Sequence, residues 1–487
     1  MITPHPKKSR ALFVAALLTG SFSAALGGPA DARSALEKLL LEPNRPSNPL
    51  CFLGDTLCFD AQERLRWEIR DNNFDFNDAV NAATDDNWLL HRFRVGVLWK
   101  PSPGLKFYVQ GQDSREINSD RANIPGLAGA EGDDSFDLRQ AWVEIGGTPD
   151  LPVSVKLGRQ VLSYGDERLI GGFEWGNFAR SFDAVKLSYK HEKFQIDVFT
   201  SSVVVITRSE FNKSDLFNGN ENDGQQIFSG IYFTTSELPF GTLDLYGLLL
   251  NQKSGVVTNV ESGIAHTTPR GAALTSQHSD FATFGGRLRG DPKKLNGFEF
   301  TLEGAYQNGQ VRDQSLSAFA VTAGAGYNFA TAWKPRLWAE YNYASGDDDP
   351  LDNDVETFQN LFPTNHKFYG YMDLFSWQNL HNPMISFRVT PVKPVTVQVD
   401  YHAFWLASTD DAAYRANGLS TLRPLNDTTR AADSFVGQEV DLTVTWNVNR
   451  WLQVQAGYSH FFAGDYLADT GPADDADFGY VMATLNF

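Results

Sequence analysis

After its first thirty residues this chain has no apolar run long enough to cross a membrane as a helix, yet eighteen stretches alternate apolar with polar or small residues. They lie near 62–70, 89–99, 104–112, 136–146, 152–161, 181–190, 193–205, 227–236, 241–251, 280–290, 297–308, 317–329, 335–345, 383–391, 394–406, 437–448, 451–463 and 476–487. In "GLKFYVQGQ", Leu105, Phe107 and Val109 share one face while Lys106, Tyr108 and Gln110 share the other. Lipid outside and water inside impose that period of two. The connections alternate as well. Short ones such as "KPSPG", "GTPDL" and "LPF" separate long ones at 71–88, 113–135, 162–180, 206–226, 252–279, 309–316, 346–382, 407–436 and 464–475, of which only 309–316 is brief. Outer-membrane barrels have short periplasmic turns and longer external loops, and closure pairs every backbone amide and carbonyl. The pattern predicts an all-β fold: a transmembrane outer-membrane β-barrel of 18 antiparallel strands, with both termini periplasmic.

Lys7, Lys8 and Arg10 precede the apolar run "ALFVAALLTGSFSAALG", and residues 1–30 read as a secretory signal peptide with several candidate cleavage points. Residues 31–61 read as a periplasmic N-terminal segment, in which "ARSALEKLLLE" has the pattern of a short amphipathic helix, and residues 62–487 as the barrel. Cys51 and Cys58, the only cysteines, stand seven apart in "CFLGDTLC". An oxidising periplasm favours a disulfide between them, and two cysteines alone make a poor metal site. A net charge of −18 argues against a nucleic-acid partner. Outer-membrane lipid and lipopolysaccharide are the expected surroundings. The sequence holds no nucleophile elbow, zinc-binding helix or phosphate loop. His402 and His460 fall in strands as wall residues, Ser459–His460 is adjacency alone, and "GGFEWG" is too loose for a cofactor cradle. The expectation is a protein that is not an enzyme and has no cofactor.

An eighteen-stranded barrel is wide enough for an aqueous channel, so its inward charges matter. Arg64 and Arg66 share a face with Arg70 and Glu68 in "RLRWEIR", and Arg92 and Arg94 share one in "HRFRV". Lys156, Lys186 and Arg388 face inward by the same test, whereas Arg139 has the parity of Ala141 and Val143. Arginine stays charged in a narrow pore and offers planar donors to carboxylates, so such a ladder favours an anionic solute held weakly at each step. The plainer reading is that the arginines pair with Glu68, Glu144, Glu303, Glu340, Asp400, Glu439 and Asp441 and stiffen the wall. In the loop "SGDDDPLDNDVE", Asp347, Asp349, Asp352 and Asp354 form an oxygen-rich set that suits calcium, although the spacing is not that of an EF-hand and a solvated acidic face is the commoner explanation.

"VKLGRQVLSYGDERLIGGFEWGNFARSFDAVKLSY" (155–189) resembles the segment around the "LGRQ" motif of the bacterial alginate export outer-membrane proteins. "LRQAWVEIGG" at 138–147, "YHAFWLASTDDAAY" at 401–414 and "VGQEVDLTVTWNVNRWLQVQAGYSHFFAGDYL" at 436–467 extend the resemblance across 62–487. It implies a monomeric eighteen-stranded barrel whose arginine-rich lumen conducts an anionic polysaccharide, with a periplasmic export scaffold as partner. Carried over by motif, it implies roles for Arg139, Arg159, Glu439 and Asp441. Arg159 conflicts with alternation, which from Val155 and Leu157 points it toward lipid unless a bulge or exit from the bilayer intervenes. The chain departs from the family in "VLSYGDERL" after "LGRQ" and in Leu406 after "YHAFW". The expected function is passive diffusion of an anionic saccharide such as alginate, or a similar acidic solute. The alternative is a general or substrate-specific diffusion porin for uptake of small solutes.

Overall fold

Each alternating segment becomes a strand, and the strands join into one closed antiparallel sheet. The computed structural model describes residues 50–72, 75–79, 85–119, 133–206, 211–214, 226–252, 255–256, 275–276, 278–312, 314–418 and 421–487. The expected signal peptide and amphipathic helix lie outside the described residues. Among those described, eighteen long strands form the wall. They are β1 (Leu57–Asp71), β2 (Asp86–Ser102), β3 (Leu105–Ile117), β4 (Asp134–Thr148), β5 (Leu151–Gln160) and β6 (Phe182–Lys190). Then come β7 (Phe194–Val205), β8 (Gln226–Leu238), β9 (Gly241–Gln252), β10 (Ser279–Gly290), β11 (Phe298–Val311) and β12 (Gln314–Asn328). The last six are β13 (Arg336–Ala344), β14 (Leu380–Val392), β15 (Val395–Trp405), β16 (Phe435–Asn447), β17 (Leu452–Ala463) and β18 (Ala476–Asn486). β18 pairs with β1 from Asn486 opposite Gln62 to Asp477 opposite Asp71, which closes the barrel and leaves no edge.

Exposed apolar side chains form the outer face: Leu65, Trp67, Val109, Leu157, Val185 and Leu245 are all on it. Trp99 stacks on Phe107 near the short-turn end, as an interfacial girdle requires. β1 begins at Leu57, before the expected residue 62, because Cys51–Phe52 folds back on Leu57–Cys58 as a small hairpin. A Cys51–Cys58 disulfide closes it.

Two breaks in simple alternation matter for the lumen. Opposite β3, Gln110 faces Gln140 while Gly111 faces Leu138, so Arg139 is the extra residue of a β-bulge. That bulge turns Arg139 inward beside Gln140, against its sequence parity. In β5, Gly158 of "LGRQ" has φ +115°, and a Cβ there would lie 2.2 Å from the Ala141 carbonyl oxygen of the neighbouring strand.

The lumen is not simply water-filled. The connections 161–181 and 345–379 turn inward and carry an apolar core, with Ile170, Phe358, Phe362 and Trp377 packed against wall residues such as Phe228 and Ala320. The two segments bond to each other: Gly171 N donates to Phe362 O at 2.7 Å, Phe362 N to Leu169 O at 2.9 Å and Thr364 N to Glu167 O at 2.9 Å. Arg180 caps this seam, donating to the carbonyls of Gly171, Phe362 and Pro363. Asp354–Val355 adds a short parallel pairing to Ser315–Leu316 of β12.

Gly158→Ala should destabilise the barrel by about 1–3 kcal/mol, through the left-handed φ and the contact with Ala141. The check is the urea midpoint of unfolding in detergent, with Gly304→Ala, whose Cβ meets nothing within 4 Å, as reference.

Candidate functional site: an arginine cluster clamped on an inward loop

Alternation along β1 and β2 brings Arg64, Arg66, Arg92 and Arg94 to one inner patch, because Arg64 lies directly opposite Arg92 and Gln62 opposite Arg94. The bulge adds Arg139 from β4. All five are buried. Packed guanidinium groups repel, so each must be met by acceptors. Glu68, Gln62, Gln112 and Gln110 on the wall each meet one of these groups, and the remaining acceptors come from "GGFEWG" and Asn177 in the 161–181 segment. Arg64 donates to Glu174 O at 2.8 Å and Gly176 O at 3.3 Å, Arg92 to the same two carbonyls at 3.1 and 3.0 Å, and Arg66 to Trp175 O at 2.6 Å. The Glu174 side chain completes the clamp. Oε2 accepts from Arg94 at 2.7 Å and lies 3.4 Å from Arg92, and Oε1 accepts from Arg139 at 2.5 Å. Partial burial raises the Glu174 carboxyl, but Arg139, Arg94 and Arg92 outweigh it and hold the group well below the usual carboxylate range.

Exposure decides what a solute meets first. The Glu174 side chain is 54% exposed, against 6% or less for Arg92, Arg94 and Arg139. The arginines therefore sit behind a carboxylate that the chain itself supplies. Arg66 also lies 3.9 Å from the Trp175 ring centre, and Trp175 stacks at 3.8 Å on His366 of the second inward segment. The opposite flank of 161–181 is pinned by Arg168, which pairs with Glu340 at 2.5 Å and donates to Asn342 at 3.0 Å. Arg287 pairs with both Asp166 and Asp244.

The other charges expected in the lumen divide by place. Glu439 and Asp441 face inward but are buried and hold structure instead of lining an open path. Glu439 accepts from Met372 N at 2.9 Å, while Asp441 accepts from Ser459. Arg70 bonds the Met372 carbonyl at 3.2 Å and Glu68 at 3.2 Å, so Met372 is gripped at both ends. Arg159 does not join the cluster. It forms a two-point pair with Asp183 at 3.0 and 3.1 Å, in the outer row that continues Leu157 and Val185, beside Phe211. The correction follows from its position at the end of β5, where the 211–214 segment covers the wall. Lys186 lines the lumen near Asp197 at 3.6 Å, and Arg388 lies opposite Arg336, which pairs with Glu299. Ser459 and His460 point to opposite faces, toward Asp441 and Asp477 respectively, and make no dyad.

The acidic loop also differs from expectation. Asp347, Asp349, Asp352 and Asp354 are not gathered; Asp349 and Asp352 accept from Leu351 N and Asp354 N in local turns. The acids brought together are Asp347, Asp348 and Glu356. Asp347 N donates to Asp411 Oδ2 at 3.1 Å, which clasps this loop to the 406–434 connection, and Thr357 and Tyr414 hydroxyls bond the same carboxylate. Glu174, Arg168 and Asp411 were not singled out by sequence. Within "GGFEWG", an acid flanked by aromatics and glycines was the available sign.

Glu174→Gln should keep the loop seated, because five hydrogen bonds reach its backbone, and should raise the anion-to-cation permeability ratio several-fold in a planar bilayer. An unchanged ratio would remove the clamp from the selectivity path. The clasp responds to pH in a defined direction. Burial and neighbouring Asp411 push the Asp347 carboxyl up to about 6, and burial pushes Asp411 up. Raised acids favour the closed form while protonated, so the contribution of the clasp is full below about pH 4 and is lost as pH rises through about 6. Amide exchange at Asp347, corrected for its intrinsic rate, should be faster at high pH, and Asp347→Asn should flatten that dependence.

The closed sheet has known counterparts among solved structures. Pseudomonas aeruginosa OccK9 (OpdG) superposes with a TM-score of 0.56 at 12% identity, covering 90% of this chain and 99% of that one. P. aeruginosa OpdQ gives 0.56 at 10% identity over 90% and 98%. P. aeruginosa OccK2 (OpdF), solved in complex with glucuronate, gives 0.53 at 11% identity over 90% and 97%. At these identities the likeness is one of fold. Among curated proteins, none matches the chain. The family model for alginate export matches residues 56–481, nearly the whole barrel, and the chain belongs to that porin-like family of the Gram-negative outer membrane.

Proposed function

We propose that this barrel is a substrate-specific diffusion porin for small carboxylate-bearing solutes, which pass by exchanging with Glu174 at Arg92, Arg94 and Arg139. One observation carries the reading: these three arginines already hold a carboxylate between them, each through one terminal guanidinium nitrogen. Arg94 Nη2 and the Nε groups of Arg92 and Arg139 are buried and make no hydrogen bond among the described residues, so the cluster is short of acceptors even with Glu174 in place. Passage needs no chemistry, only contacts weak and numerous enough for entry and release.

Family membership favours a second reading, the export of a polyuronate chain. Against it stand the two inward segments, joined by backbone bonds across the lumen and by the Trp175–His366 stack. A polymer would have to displace that whole seam, whereas a single sugar acid has only to displace one carboxylate. OccK2, the fold relative bound to glucuronate, is a barrel that accommodates such a monomer. The short-turn end is taken as periplasmic, as in outer-membrane barrels generally.

Single-channel recording decides between them. Anion-selective current, interrupted by glucuronate and indifferent to long oligouronates, is the expected result. Block by oligouronates at far lower concentration than glucuronate would favour export, and unselective current would reduce the protein to a general pore. Replacing Arg92 and Arg94 together by Ala should lower the anion preference about tenfold, as loss of charge-assisted bonds implies. An unchanged reversal potential in a folded variant would count against these residues as the selectivity element.

A further inference from the structure

The short-turn mouth of the lumen holds a second basic site, away from the arginine cluster. A cavity of about 850 Å³ opens there. Strand register sets its charges in a row: Lys106 opposite Glu144, Glu144 opposite Lys156, and Lys156 opposite Lys186, across β3 to β6. Glu144 is engaged by Lys106 at 2.8 Å. Lys186 has Asp197 at 3.6 Å, but that carboxylate already accepts from Tyr164 at 3.0 Å and Gln195 at 2.9 Å. Lys156 has no ion pair among the described residues; its Nζ lies 3.8 Å from the Trp142 ring centre.

Like charges directly opposite on paired strands repel, and the cost of the Lys156–Lys186 pair is not offset by a shared acid. Two residue pairs nearer the mouth, on the same inner face, Ser154 stands opposite Ser188, so two hydroxyls line the cavity beside the two lysines. We propose that Lys156 and Lys186, with Ser154 and Ser188, form a docking site for the carboxylate of a small hydroxylated acid. The proposal rests on the small-anion reading above and adds a second station along the path. Two lysines directly opposite on paired strands have long enough side chains to turn both ammonium groups onto one carboxylate. The two hydroxyls suit the polar edge of a sugar ring.

Equilibrium binding to the detergent-solubilised full-length protein tests this independently of conductance. Glucuronate is the probe, glucose the neutral comparison and inorganic phosphate the competing anion. The wild type should bind glucuronate in a salt-sensitive way and not glucose. Lys156→Gln with Lys186→Gln should weaken glucuronate about tenfold, while Lys293→Gln, an exposed charge in another short turn, should not. Heat-modifiable migration on gels confirms that the variants fold. Equal affinity in the double variant, absence of binding by the wild type, or phosphate competing as well as glucuronate would each overturn the assignment. Anion selectivity in the bilayer would survive the first of these results, so failure of the docking site and failure of the porin reading are separable.

Discussion

Burying five guanidinium groups on one inner patch is the constraint around which this lumen is built. Desolvating a cation costs several kcal/mol unless its donors are met, and side-by-side arginines add repulsion. Here the wall does not solve the problem by itself. Glu68, Gln62, Gln110 and Gln112 on the wall meet part of the demand, and three backbone carbonyls and one carboxylate within Glu174–Gly176 supply acceptors that the wall lacks. The 161–181 segment must therefore lie inside the barrel, and once it does, the 345–379 segment has an apolar and hydrogen-bonding surface to pack on. Loop placement and the exposed charge of Glu174 both follow from how those arginines are satisfied.

The wall was legible because its physics is local. Period-two alternation and the rhythm of short and long connections follow from lipid, water and tilt, and every expected strand from 62–70 to 476–487 corresponds to one in the barrel. The inward direction of Arg64, Arg66, Arg92 and Arg94 is legible for the same reason. Arg139 is not, since a bulge opposite Gln110 and Gly111 changes its face, and a bulge depends on the partner strand. Arg159 fails differently: parity gave the right side, and motif resemblance gave the wrong environment.

Glu174 was illegible for a deeper reason. An acid's partner in a loop is set by where that loop goes, and nothing within "GGFEWG" encodes a destination across the lumen. Glu439 and Asp441 show the same limit. Their strand and face were readable, but whether they meet water or the Met372 backbone depends on a segment more than sixty residues earlier. Sequence reading of a barrel thus recovers the container well and its contents poorly.

That asymmetry bears on how a family resemblance should be used. The alginate export model spans the wall and the inward segments alike, but family membership does not fix the solute, whose size is decided by what fills the lumen. In this chain the filling is a seam of two segments, fixed at one flank by the arginine clamp and at the other by Arg168 in its pair with Glu340. Both of those residues are nearly inaccessible to solvent, so neither can be released by a passing solute without leaving a buried charge unpaired. Glu174 differs because its carboxylate is half exposed and its partners stay fixed to the wall. The arginine cluster therefore holds one exposed carboxylate in a frame that resists displacement, and it is on this contrast that the proposed exchange of one carboxylate for another, in place of passage of a long chain, rests.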